Sequence, residues 1–207
     1  MRFFVTKQIN KDIMKNKDIK GVMQFISEAG MLKCVKRSGW SVLGIKDSET
    51  VAEHCFRCTI IGYLLAAIEG VSIQKVLLMT TLNDMHEARI TDLHKMAQYY
   101  LDTEKAEDRS YMEQISNLPA NIKKELIDLH KEYRQQKSKE SILARDVDIL
   151  ECLIQAKEYY EQGFVQAVQF TKKAPRFLKT KSAKKLWQFA SKNKITDWWT
   201  VLTKFKR

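Results

Sequence analysis

TVAEHCFRCTIIGYLLAAIE, residues 50–69, is apolar on almost every side after its first turns and contains no proline. A stretch of that kind reads as a central, buried helix that other helices must surround. Ser48, with Glu49 and Glu53 close behind, reads as its N-cap region. On either side, apolar positions recur at helical spacing through 18–34, 72–87 and 138–162, the last ending near Gly163. The segments 91–102, 104–118, 120–136, 180–192 and 195–205 read as further helices, with a break at Pro119 and a loop over 36–49. Seven glycines and two prolines leave few turns for strands. The expected fold is therefore all-α: one helical bundle over 1–171, with a helical extension over 172–207 packed on it.

The net charge of +11 belongs to that extension. Residues 1–171 carry 24 Lys/Arg against 24 Asp/Glu, whereas 172–207 carry 12 against the single acid Asp197. Such a segment suits nucleic acid, a membrane surface or a neighbouring subunit, and equally a solvated helix pair. Trp187, Trp198 and Trp199 favour packing on the core. The four cysteines read as reduced core residues of a cytosolic protein. Cys55 and Cys58 have C-x-x-C spacing but no second pair, which argues against a zinc clip. The apolar run in MRFFVTKQINK is too short for a signal peptide. No segment reaches the roughly 18–20 apolar residues that would span a bilayer.

The helix over 72–87 runs into TTLNDMHEARITDLH, residues 80–94, which holds three carboxylates and two imidazoles. His54 sits one turn into the central helix, Asn83-Asp84 end the next, and Asp146 and Asp148 interrupt the apolar run of a third. Buried charge must be neutralised. Two answers stay open on these residues alone. A divalent cation could gather ligands from three helices. Alternatively, Arg57, Arg89 and Arg145 could pair with the same acids.

The order His54 … Asn83-Asp84 … Asp148 resembles the H…HD…D pattern of the HD-domain metal-dependent phosphohydrolases, and within them the 5′-deoxynucleotidase branch. Arg37-Ser-Gly-Trp40 before the histidine, SETVAEH leading into it, NDMHEARITD and RDVDILECLIQAKEY carry the likeness, from about Arg37 to Tyr159. The resemblance implies an all-helical homodimer acting on small nucleotides in the cytoplasm. It places metal ligands on His54, Asn83, Asp84 and Asp148, and water activation on Glu87 with Asp92 as a second acid. Arg37 falls where relatives hold phosphate, Trp40 where they hold the sugar and base, and His86 at a supporting or substrate-contacting position. Asn83 departs from the pattern, standing where the family's histidine is usual. An amide oxygen suits harder ions, so Mn²⁺, Co²⁺ or Mg²⁺ is the expected cofactor. The rival readings are hydrolysis of another phosphoester, or a degenerate domain that binds nucleotide, or nucleic acid through the basic tail, without turnover. His94 and His130 read as structural, and Asp146 as an arginine partner.

Overall fold

The computed structural model describes residues 15–202, so the apolar run after Met1 and the last part of the helix expected over 195–205 lie outside it. Among the described residues all regular structure is helical, apart from one bridge between Lys36 and Thr50. The helices are α1 (Asn16–Met31), α2 (Ser38–Ser41), α3 (Val51–Glu69), α4 (Ile73–Leu82), α5 (Glu87–Ile90), α6 (Lys95–Tyr100) and α7 (Thr103–Gln114). They continue with α8 (Ala120–Gln135), α9 (Lys139–Glu161), α10 (Val168–Lys173) and α11 (Lys181–Lys192). Short 3₁₀ turns occupy Asn83–His86, Val165–Ala167, Ala174–Phe177 and Trp198–Leu202.

Helices α3, α4 and α9 pack on one another at the centre. The N-cap of α3 is Thr50, two residues later than expected. Its hydroxyl accepts the Glu53 N–H at 3.2 Å while Glu53 Oε2 accepts the Thr50 N–H at 2.6 Å, a reciprocal capping box. Gly62 lets α3 approach α4, because a Cβ there would stand 3.1 Å from Thr80 Oγ1 and 3.3 Å from Val76 Cγ1. One core cluster joins Val51, Cys55, Met79, Tyr111 and Leu126, and another joins Leu65, Val76, Val147, Leu150 and Leu153.

The expectation that α3 is buried all round fails on one side. Phe56, Ile60, Leu64 and Ile68, spaced four apart, are 70%, 48%, 51% and 70% exposed. By length and composition α3 does pass as a membrane-spanning candidate, contrary to the sequence reading. Its inner face, however, packs fully, with Val51, Leu65 and Ala66 at 0% exposure.

The expected helix 72–87 is broken. Helix α4 ends at Leu82, and Asn83–His86 tighten into a 3₁₀ turn whose first carbonyl is taken by His86 Nδ1 at 3.0 Å. In 3₁₀ geometry residues three apart eclipse, which turns Asp84 and Glu87 the same way. Helix α5 then stops at Thr91, whose φ of 63° with ψ of 168° is a strained backbone for a β-branched residue.

Asp146 does not pair with an arginine. It points away from Asp148 and accepts the backbone N–H groups of Lys179 and Thr180, at 2.9 and 2.6 Å, and the Thr180 hydroxyl at 2.7 Å. A buried carboxylate on α9 thus anchors the chain entering α11, where Leu178 and Ala183 bury in the second cluster. Cys34 is exposed rather than core, because α1 ends three residues before it.

Candidate active site

The 3₁₀ turn, α3 and α9 bring three residues distant in sequence to one point. His54 Nε2 lies 3.5 Å from Asp84 Oδ2 and 3.3 Å from Asp148 Oδ1, and one donor atom from each falls within 4.8 Å of the others. Asp84 and Asp148 line a cleft of about 540 Å³ together with Arg37, Asn83, Glu87 and Asp92, and His54 sits buried behind them. Asn83 donates its amide nitrogen to Asp84 Oδ1 at 2.8 Å and so steadies one carboxylate of the group.

His54 is held from behind. Its Nδ1 bonds the fully buried Glu151, whose other oxygen accepts Arg57 Nε at 2.8 Å and Nη2 at 2.7 Å. Burial opposes a charge on His54, but Glu151 and Asp148 hold its pKa well above the ordinary value, so Nε2 carries a proton until a cation takes its place, while Glu151 keeps the proton on Nδ1. The sequence reading missed Glu151, although its position three residues after Asp148 on α9 puts both on one helix face. Cys58 Sγ stands 3.5 Å from His54 Nε2 and makes a second grouping with Glu151. Burial pushes that thiol up to about 12, so it stays protonated, and Arg57 already claims Glu151. The His54–Asp84–Asp148 group is the one that opens to the cleft.

Of the rival ion pairs, only Arg145 reaches the group, with Nη1 2.9 Å from Asp148 Oδ2. Arg57 serves Glu151 and Glu158, and Arg89 serves Glu28 and Glu113. Two carboxylates and an imidazole therefore face one another with one half-exposed arginine at their edge. An O,O,N donor set of this kind fits a first-row divalent cation or Mg²⁺.

Arg37, the N-cap of α2, brings Nη1 to 3.8 Å from Asp92 Oδ1 and 4.0 Å from Glu87 Oε1. Burial weighs against its charge, but Asp84, Asp92 and Glu87 outweigh it and keep the guanidinium ionised. Glu87 is 7% exposed, and its Oε2 is buried without a hydrogen-bond partner. Burial, then the neighbouring Asp84 and Asp92, push its carboxyl well above the usual range, which makes it a stronger base than an ordinary carboxylate. Asp92 Oδ2 accepts the Ser38 N–H at 2.7 Å, tying the Arg37 loop to the end of α5.

Trp40 does not offer a face to a base. It is 2% exposed, packs on Phe170 and Tyr159 with centroids 4.6 and 5.2 Å away, and donates its indole N–H to Glu49 at 2.9 Å. His86 is buried, with its Nδ1 on the Asn83 carbonyl. His94 accepts the Ala97 N–H and caps α6. His130 stacks on Tyr111 and bonds Asp108 at 2.8 Å.

The sequence model of the HD domain matches residues 29–187. The 5′-deoxynucleotidase HDDC2 of Dictyostelium discoideum is 29% identical over 153 residues, covering 68% of this chain and 78% of its own length. The bovine protein of the same name is 26% identical over 147 residues, covering 70% and 71%. A conserved hypothetical protein from Pyrococcus furiosus, of solved structure, superposes with a TM-score of 0.67 at 30% identity, over 83% of this chain and 99% of its own. With most of its length matched and an His54–Asp84–Asp148 centre of the expected kind, this chain belongs to the HD domain family.

Proposed function

We propose that the chain is a divalent-metal-dependent 5′-deoxynucleotidase, which converts deoxyribonucleoside 5′-monophosphates to deoxynucleoside and phosphate. The observation that carries this reading is the cleft floor, where His54, Asp84 and Asp148 converge beside a half-buried Arg37 and a Glu87 with an unpartnered oxygen. The substrate class comes from the relatives named 5′-deoxynucleotidases.

His54 Nε2, Asp84 and Asp148 would hold Mn²⁺, Co²⁺ or Mg²⁺, with Asn83 steadying Asp84 and its oxygen available as a weaker fourth donor. When bound, the cation offsets phosphoryl charge and makes water a stronger acid. The Arg37 fork pairs with phosphoryl oxygens and stabilises the charge that builds on them. Glu87 takes a proton from the attacking water as its oxygen bonds to phosphorus. The same carboxyl returns that proton to the 5′-oxygen as the P–O5′ bond breaks. Asp92 acts by position, holding the Arg37 loop through Ser38. Glu151 fixes the tautomer of His54.

The test is phosphate release from a panel of deoxynucleoside monophosphates with each ion added. Release that needs added metal is expected. Release from none of them, or release indifferent to a chelator, overturns the reading.

We also place a second copy of the chain on the α3 ridge of Phe56, Ile60, Leu64 and Ile68, an apolar stripe that water would otherwise face. Sedimentation should give twice the chain mass, and a monomer's mass would contradict it. A cytoplasmic setting agrees with four cysteines that form no disulfide.

A further inference from the structure

Tyr133 lies in the last turn of α8, with its ring in the first core cluster at 8% exposure. Its hydroxyl is buried and makes no well-formed hydrogen bond; Arg145 lies beside it, but a guanidinium can only donate to the oxygen, so the phenolic proton has no acceptor. The side chain forms part of the cleft wall together with Asp84, Arg145 and Asp148. Phenylalanine would fill the same core space without burying an O–H proton that has no acceptor, so packing gives no reason for that donor.

The surroundings say what the hydroxyl suits. Burial pushes the phenol above its ordinary value, Asp148 and Asp84 add to the effect and Arg145 opposes it, so the proton stays on the oxygen. Arg145 stands beside it and is engaged with Asp148 Oδ2 at 2.9 Å. The wall built from α8 and α9 therefore presents a neutral O–H next to a guanidinium, while Arg37 enters from the loop before α2. A neutral donor there neither competes for the cation nor repels Arg145, and an anionic oxygen is the acceptor such a pair favours.

We propose that Tyr133 is a further substrate-binding residue, whose hydroxyl donates to a phosphoryl oxygen of the bound nucleotide and of the phosphate product. This rests on the phosphohydrolase reading of the same cleft. It explains why a phenolic proton is left without an acceptor in the core: the acceptor arrives with the substrate.

The experiment compares wild type with Tyr133→Phe by three readouts. Melting of the ligand-free proteins should show the variant as stable as wild type or more so. Titration of inorganic phosphate in the presence of Mn²⁺ should show binding weakened about tenfold or more. Turnover of a deoxynucleoside monophosphate should fall in kcat/KM by a similar or larger factor. A clearly lowered melting temperature would mean the hydroxyl has a partner inside the fold and overturns the inference. Unchanged phosphate affinity overturns it too. If wild type turns over no monophosphate, the reading of the enzyme fails, and the phosphate titration alone decides the role of Tyr133. If wild type is active and the variant matches it in every readout, only the inference falls.

Discussion

Glu87→Gln lowers kcat by roughly 10²–10⁴-fold while the affinity for the divalent cation and the KM stay close to those of wild type. The size follows from what the substitution removes. Glutamine keeps the shape and the contact near Arg37, but an amide cannot take a proton from water and return it to the leaving oxygen. The buried Oε2 has no partner to lose, so the fold pays little. The setting makes Glu87 a stronger base than an ordinary carboxylate: burial and the nearby Asp84 and Asp92 raise its pKa, and Arg37 opposes them. Single-turnover phosphate release with saturating metal checks it. A kcat within a few-fold of wild type would remove Glu87 from the chemistry and leave the buried acid that opens α5 without a function.

Glu151→Gln has its largest effect on stability. The carboxylate is fully buried and bonded by His54 Nδ1 on one oxygen and Arg57 on the other. Burial alone would raise its pKa, but His54 and Arg57 bring it below the usual value of 4.5. Since the folded pKa is the lower one, its contribution is complete above that ordinary value and is lost as pH falls through the folded one. Breaking one side of a buried ionic pair costs about 3–5 kcal/mol. Arg57 is partly exposed and recovers some hydration, so about 3 kcal/mol is expected. At about 2–4 °C per kcal/mol for a chain of this size, the melting temperature drops by roughly 6–12 °C. With the carboxylate gone His54 also loses its fixed tautomer, and metal affinity falls by about 10–100-fold. Calorimetry and metal titration of the variant check both effects. Unchanged melting would show that Glu151 bears no load behind His54.

Much of this was legible in the chain because the strongest signals are local. The limits of α3, α8, α9 and α11 follow from Thr50, Pro119, Ser138 and Thr180 at their starts, and each lies within a residue or two of its expectation. His54, Asp84 and Asp148 stood out as charges inside apolar helices, which is why their meeting was foreseeable. The misses share a different cause. The outward ridge of α3 has the same composition as its inner face, so periodicity could not tell a core contact from a surface awaiting a partner. The break after Leu82 depends on His86 reaching back to the Asn83 carbonyl, a side-chain choice with no pattern in the sequence. Asp146 and Trp40 were given the partners their chemistry allowed, an arginine and a base. The fold instead supplied the N–H groups entering α11 and the Phe170–Tyr159 pocket.

The central claim is that His54, Asp84 and Asp148 converge because a cation joins them. Equilibrium dialysis of the full chain against Mn²⁺, beside Asp84→Ala, tests it most directly. The account predicts a single tightly held ion per wild-type chain, and a loss of that ion in the variant while its helix content is kept. A wild type that binds no ion, or an Asp84→Ala chain that binds as well as wild type, would contradict it.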